Sequence, residues 1–113
     1  MKQGFVKVAS ATPRIRVADP VYNAQVICEQ AKEAAEHGAK IVVFPELCIT
    51  GYTCNDLFLQ ELLLEKAKEA LLTIAEETGQ LETLFLVGLP VDKDGRLYNV
   101  AAVLYRGRIL GMI

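Results

Sequence analysis

The sequence lacks the features by which several classes of protein are recognised. Lysine and arginine form no cluster and the formal net charge is −2, so the chain has no basic footprint for a nucleic acid. No apolar run reaches membrane-spanning length, and no secretory signal precedes the first apolar segment. Repeats, linkers and low-complexity segments are also missing. We therefore expect no nucleic-acid partner, no membrane partner and a cytoplasmic location.

Cysteine is scarce as well, with Cys28, Cys48 and Cys54 as its three occurrences. They lack the short paired spacing of a zinc site, and a reducing compartment keeps such thiols free. We interpret them as small hydrophobic or incidental residues, although Cys54 could line a pocket. Asp92 and Asp94 lie in a turn sequence without a further ligand set. The sequence therefore predicts no metal site.

Apolar residues make up 52% of the chain, which suffices for one modest core, and they alternate between strand and helix patterns. The predicted strands are residues 5–9, 40–44, 83–89 and 97–105, and the predicted helices are residues 21–36 and 57–77. Asp19-Pro20 marks the start of the first helix, and His37-Gly38 marks its end. Pro90 is expected to stop the third strand. This order predicts parallel strands joined by right-handed crossovers, followed by an antiparallel hairpin.

Residues 40–56, KIVVFPELCITGYTCND, are the stretch that carries the chemical interest. An unbroken apolar run suits a strand that is buried on both faces. Pro45 ends it, and Glu46 follows at the carboxyl end of the strand, where open α/β sheets bind their ligands. Burial raises the pKa of a carboxyl towards neutrality, as a general base requires. From spacing alone, an exposed loop glutamate remains the simpler alternative.

The motif FPELCITGYTCNDLF closely resembles the glutamate motif of the nitrilase, or carbon–nitrogen hydrolase, superfamily. Asp56-Leu57 makes it most similar to the glutaminase domain of glutamine-dependent NAD synthetases. Residues 98–113 resemble the hairpin before the family's catalytic lysine, and residues 5–27 resemble its first strand and helix. The resemblance implies an α/β fold, as part of a nitrilase-type α-β-β-α sandwich whose sheet is mostly parallel. Residues 1–113 would form the N-terminal part of that domain, truncated before the lysine and cysteine motifs.

The resemblance also implies roles for individual residues. Glu46 would be the general base that takes the proton of a cysteine thiol, and a lysine would stabilise the oxyanion. Tyr52 would line the glutamine pocket or its approach, with a packed aromatic as the alternative. Asn23 matches a position that the family often fills with asparagine. Because the lysine and the cysteine are expected beyond residue 113, we expect the chain alone to be inactive.

The same resemblance implies the partners. Glutamine would be the substrate, and no cofactor would serve its hydrolysis. A C-terminal synthetase domain of the same chain would bind ATP and Mg²⁺ and use the ammonia to amidate nicotinic acid adenine dinucleotide. The full-length enzyme is expected to be a homo-oligomer.

Two alternatives remain open. A stand-alone nitrilase-family amidase would use the same chemistry without a synthetase domain. A small, non-catalytic doubly wound binding domain would need a phosphate-cradling glycine loop or an acidic cluster after the first strand. That position instead holds Ser10-Ala11-Thr12-Pro13.

Overall fold

The computed structural model describes residues 7–16, 19–45, 48–50 and 57–113, with the side chains of 57–61 excepted. The elements follow one another as β1 (Val8–Ser10), α1 (Pro20–Glu36), β2 (Ile41–Val43), α2 (Leu57–Glu77), β3 (Leu84–Lys93), β4 (Arg96–Tyr105) and β5 (Arg108–Met112). This order confirms the predicted alternation of strands and helices.

The strands form one five-stranded sheet in the order β1-β2-β3-β4-β5. The pairs β1–β2 and β2–β3 are parallel, whereas β3–β4 and β4–β5 are antiparallel. The α/β class and the hairpin after the third strand are therefore confirmed. The carboxyl ends of the three parallel strands meet at one edge of the sheet, which is the edge where such sheets bind ligands.

Local signals determine where α1 begins and ends. The Asp19 carboxylate accepts a hydrogen bond from the Tyr22 backbone N–H at 3.2 Å, and Pro20 occupies the first turn. His37 is the C-cap, and Gly38 leaves the helix with φ +84°, a conformation that favours glycine. Of the helices in the part of the chain that the structure describes, none is long and apolar enough to cross a membrane.

The core lies between the two helices and one face of the sheet. Val42, Phe85 and Leu104 are cross-strand neighbours and therefore share this face. One face of α2 packs in the same core, with Ala67, Ala70, Leu71 and Ile74 all buried. On the alternate face, Val8 and Val43 are exposed by 59% and 41%. The described helices thus cover one face of the sheet and leave the other open.

The expectation that Pro90 stops the third strand is wrong, because β3 continues to Lys93. The Gly88 carbonyl accepts a hydrogen bond from the Ile49 N–H at 3.2 Å, so the backbone N–H and C=O of Gly88 point away from β4. Residues two apart in a strand point the same way, and the nitrogen of Pro90 therefore also faces away from β4. Strand β2 has already ended at Val43. The missing N–H of the proline consequently costs no bond in the β3–β4 ladder.

Both hairpin turns have two residues, and both residues of each turn have positive φ. The values are 53° and 76° at Asp94-Gly95, and 50° and 82° at Arg106-Gly107. Such turns match the right-handed twist of the flanking strands. Asp94 is therefore a residue of the first turn, whereas Asp92 is an exposed residue of β3.

Substitutions of a buried and an exposed aliphatic residue of α2 test which face of this helix packs in the core. We expect Ile74→Ala to lower the free energy of unfolding by about 2–5 kcal/mol, because the removed side chain is 1% exposed and leaves a cavity. Leu72→Ala is the matched control on the same helix, since Leu72 is 59% exposed and should change stability by less than about 0.5 kcal/mol. Urea unfolding of both variants measures the difference, and equal losses would contradict this assignment of faces.

Candidate functional site

The two residues predicted for the site, Glu46 and Tyr52, lie outside the described residues, as does Cys54. Their roles remain predictions. The structure describes the chain on either side of Glu46, where the Cys48 N–H donates a hydrogen bond to the Pro45 carbonyl at 3.3 Å. The candidate site is therefore described by the contacts that hold residues 45 and 48–50 at the edge of the sheet.

Asn23 makes the most extensive polar contacts described at this edge. It is fully buried on the first turns of α1. Its Oδ1 accepts a hydrogen bond from the Arg16 N–H at 2.6 Å, and its Nδ2 donates to the Arg16 carbonyl at 2.7 Å. The same Nδ2 donates to the Ile49 carbonyl at 2.7 Å. Both amide hydrogens are thus used, and one side chain joins the loop after β1, helix α1 and the turn after β2.

Strand β3 holds the same turn from the other side. The Gly88 carbonyl accepts the Ile49 N–H at 3.2 Å and lies 3.6 Å from the Cys48 Sγ. Cys48, Ile49 and Thr50 are all fully buried. Residues 48–50, which we call the anchored turn, are consequently fixed between α1 and β3.

Thr50 ends the anchored turn with an unusual environment. Its hydroxyl is buried and makes no hydrogen bond to the described part of the chain. A buried hydroxyl without a partner is uncommon because it loses its bonds to water without replacement. The anchored turn therefore has one more polar group than the described residues satisfy.

The two described cysteines, Cys48 in the anchored turn and Cys28 on α1, are poorly suited to act as nucleophiles. Burial raises the pKa of the Cys48 thiol to about 11. Burial, together with the Glu77 carboxylate, raises the pKa of the Cys28 thiol to about 11 as well. Thiolate, and not thiol, is the attacking species. Both cysteines are therefore protonated at neutral pH and serve as small core residues, as the sequence predicted for them.

Sequence reasoning did not find what Asn23 does. The signal was present, because residues 23, 27 and 31 share one helix face, and Ile27 and Ala31 are buried core residues. An asparagine in such a stripe must find buried partners. The partners themselves lie 7 and 26 residues away in the sequence, and only the fold identifies them.

A separate groove of about 510 Å³ runs between α1 and α2. Its lining includes lysine and glutamate side chains, among them Glu29, Lys32, Lys66 and Glu69. No residue of the anchored turn lines it. With both charge signs present and no contact with the strand ends, the groove is not part of the candidate site.

The raised pKa of Cys48 gives a testable dependence of stability on pH. The thiol ionises near its ordinary value of 9.0 in the unfolded chain and near 11 in the folded chain. Its contribution is fully present below pH 9 and is lost as the pH rises towards 11. The difference in the free energy of unfolding between the unmodified chain and Cys48→Ala should therefore be constant below pH 9. Above pH 9 the unmodified chain should lose stability relative to Cys48→Ala. Urea unfolding at stepped pH measures this, and a difference independent of pH up to 11 would contradict it.

Comparison with known proteins places these features in a family. The glutamine-dependent NAD(+) synthetase of Mycobacterium tuberculosis is 38% identical over 112 residues, which cover 99% of this chain and 16% of that protein. The enzyme of the same name from Thermotoga maritima is 34% identical over 112 residues, which cover 99% of this chain and 19% of that protein. The chain thus spans less than a fifth of the length of these relatives.

Solved structures show the same likeness. A glutamine-dependent NAD(+) synthetase from Cytophaga hutchinsonii superposes with a TM-score of 0.84 at 31% identity, over 95% of this chain and 18% of that one. An amidase from Nesterenkonia sp. superposes with a TM-score of 0.78 at 23% identity, over 99% of this chain and 43% of that one. At this lower identity the likeness concerns the fold alone. A family model described as carbon–nitrogen hydrolase matches residues 7–112, and the chain belongs to that family.

Proposed function

We propose that these 113 residues are the first part of the glutaminase domain of a glutamine-dependent NAD synthetase. The observation that carries the proposal is the 38% identity, across 99% of the chain, to a relative of that name. The geometry supports it, because the residues flanking Glu46 are held at the carboxyl edge of a parallel sheet.

In the proposed reaction Glu46 is the general base. Its carboxylate takes the proton of a cysteine thiol, and the thiolate attacks the side-chain amide carbon of glutamine. A lysine stabilises the resulting oxyanion. The carbon–nitrogen bond breaks, the proton passes to the leaving nitrogen and ammonia departs, which leaves a thioester that water hydrolyses to glutamate. The lysine and the cysteine belong to the part of the domain beyond residue 113, so the isolated chain should not hydrolyse glutamine.

The position of the base matters because proton transfer needs heavy atoms within about 2.6–3.2 Å. The anchored turn, three residues after Glu46, is held from both sides: Asn23 binds the Ile49 carbonyl and the Gly88 carbonyl binds the Ile49 N–H. A rigid support of this kind pre-organises a catalytic group. Tyr52, six residues after Glu46, is assigned to the wall of the glutamine pocket or its approach.

The partners follow from the same proposal. The relatives are long enough to carry a further domain, since this chain covers only 16% to 19% of them. That domain would receive the ammonia, bind ATP and Mg²⁺ and amidate nicotinic acid adenine dinucleotide. No cofactor is assigned to glutamine hydrolysis itself, and the full-length enzyme is proposed to be a cytoplasmic homo-oligomer.

A stand-alone amidase is the second candidate, favoured by the superposition on the Nesterenkonia enzyme. That likeness concerns the fold alone, whereas the synthetase relatives match in sequence across the chain. The parent sequence downstream of Ile113 separates the two, because a synthetase needs an ATP-binding domain after the hydrolase domain.

Replacing the base tests the proposed reaction in the full-length protein. We expect Glu46→Gln to lower the rate of ammonia release from glutamine by about 10²–10⁴-fold, since the amide cannot accept the thiol proton. NAD formation from free ammonium should be unaffected, because ammonium bypasses the hydrolysis step.

Glu82→Gln is the matched control, as it makes the same chemical change at an exposed residue that pairs with Arg106. An exposed pair contributes little to stability, so this variant should keep full glutamine hydrolysis. Equal activity of the Glu46→Gln and Glu82→Gln proteins would refute the role of Glu46.

A further inference from the structure

The carboxamide of Asn23 makes hydrogen bonds to the backbone of the anchored turn and of the loop after β1. It is fully buried, and it supplies two hydrogen bonds to Arg16 and one to the Ile49 carbonyl. Leucine or alanine at this place would pack in the core but would leave these backbone groups without partners. The asparagine is therefore explained by its backbone partners and not by the core.

The Ile49 contact bears on a specific part of the chain. Ile49 lies three residues after Glu46, and its N–H is already committed to the Gly88 carbonyl at 3.2 Å. The peptide groups on both sides of Ile49 are thus fixed, one by β3 and one by α1. Strand β3 also fixes the other end of this segment, where the Phe44 N–H donates to the Leu86 carbonyl at 2.9 Å. Glu46 is the acidic residue between these two fixed points.

We propose that Asn23 is a positioning residue for the general base: its hydrogen bond to the Ile49 carbonyl fixes the backbone that presents the Glu46 carboxylate to the thiol. This inference rests on the proposed function. It adds a residue from another element, 23 positions before the base, whose side chain acts through the backbone. Loss of the hydrogen bond moves the carboxylate relative to the thiol, and a misplacement of about 1 Å can cost about a hundredfold in rate.

The test uses the full-length protein with Asn23→Ser and Asn23→Ala. Serine keeps a small polar group and disturbs folding less, so it keeps the test readable where alanine fails to fold. We expect kcat for glutamine hydrolysis to fall about a hundredfold with little change in KM, since alignment for proton transfer is lost and not substrate binding. NAD formation from free ammonium should stay at the level of the unmodified protein.

Thr83→Val is the matched control. Thr83 is also buried, and its hydroxyl donates to the Ala39 carbonyl at 3.0 Å. The Thr83→Val variant therefore loses a buried side-chain-to-backbone hydrogen bond. This bond lies at the amino-terminal end of the strands, away from the anchored turn. A purely structural role for Asn23 would lower glutamine hydrolysis in both proteins in proportion to their lost stability, as measured by thermal unfolding.

The outcomes separate the two proposals. A selective fall in kcat for the Asn23 variants, with Thr83→Val unchanged, supports the positioning role. If the unmodified protein hydrolyses glutamine and Asn23→Ser has the same kcat, the positioning role is refuted while the proposed function stands. If the unmodified protein releases no ammonia from glutamine, the proposed function fails and this inference fails with it.

Discussion

The buried carboxamide of Asn23 is the contact on which the arrangement of the candidate site depends. A single side chain satisfies backbone groups from the loop after β1 and the turn after β2, while itself belonging to α1. Neither backbone segment lies in a helix or strand at that point, so each needs a partner from elsewhere in the fold. The asparagine thus connects loops that the sheet alone would leave separate.

The hydrogen bonds of Asn23 depend on the core, because the core positions the helix that carries this residue. Helix α1 packs Ile27 and Ala31 against a sheet face formed by Val42, Phe85 and Leu104, and this packing fixes the height and rotation of the helix. Asn23 lies one turn before Ile27 on the same face, so the apolar packing delivers its amide to the edge of the sheet. The core and the polar contact are therefore coupled. The apolar packing of α1 places the Asn23 side chain, and the hydrogen bonds of that side chain hold the anchored turn.

Local signals made most of the fold predictable. The bounds of α2 follow from helical spacing, and the cap at Asp19 is a short-range motif. The prediction that Pro90 ends β3 was wrong because a strand can hold a proline where the neighbouring strand has already ended. The end of that neighbouring strand, β2, is not visible in the local sequence around Pro90. The partners of Asn23 were missed for the same reason, since they are distant in sequence. The burial of Cys28 in the core and of Cys48 in the candidate site was foreseen, while the roles of Glu46 and Tyr52 remain predictions.

The proposed reaction requires the Glu46 carboxylate to be held beside a thiol by the buried backbone anchor. A crystal structure of the full-length protein, with glutamine bound to a variant that lacks the nucleophilic thiol, measures this directly. We expect a Glu46 carboxylate within about 4 Å of the substituted side chain, near hydrogen-bond reach of the missing sulfur, with the Asn23 amide still bonded to the Ile49 carbonyl. A Glu46 side chain directed into bulk solvent, away from the bound glutamine, would contradict it.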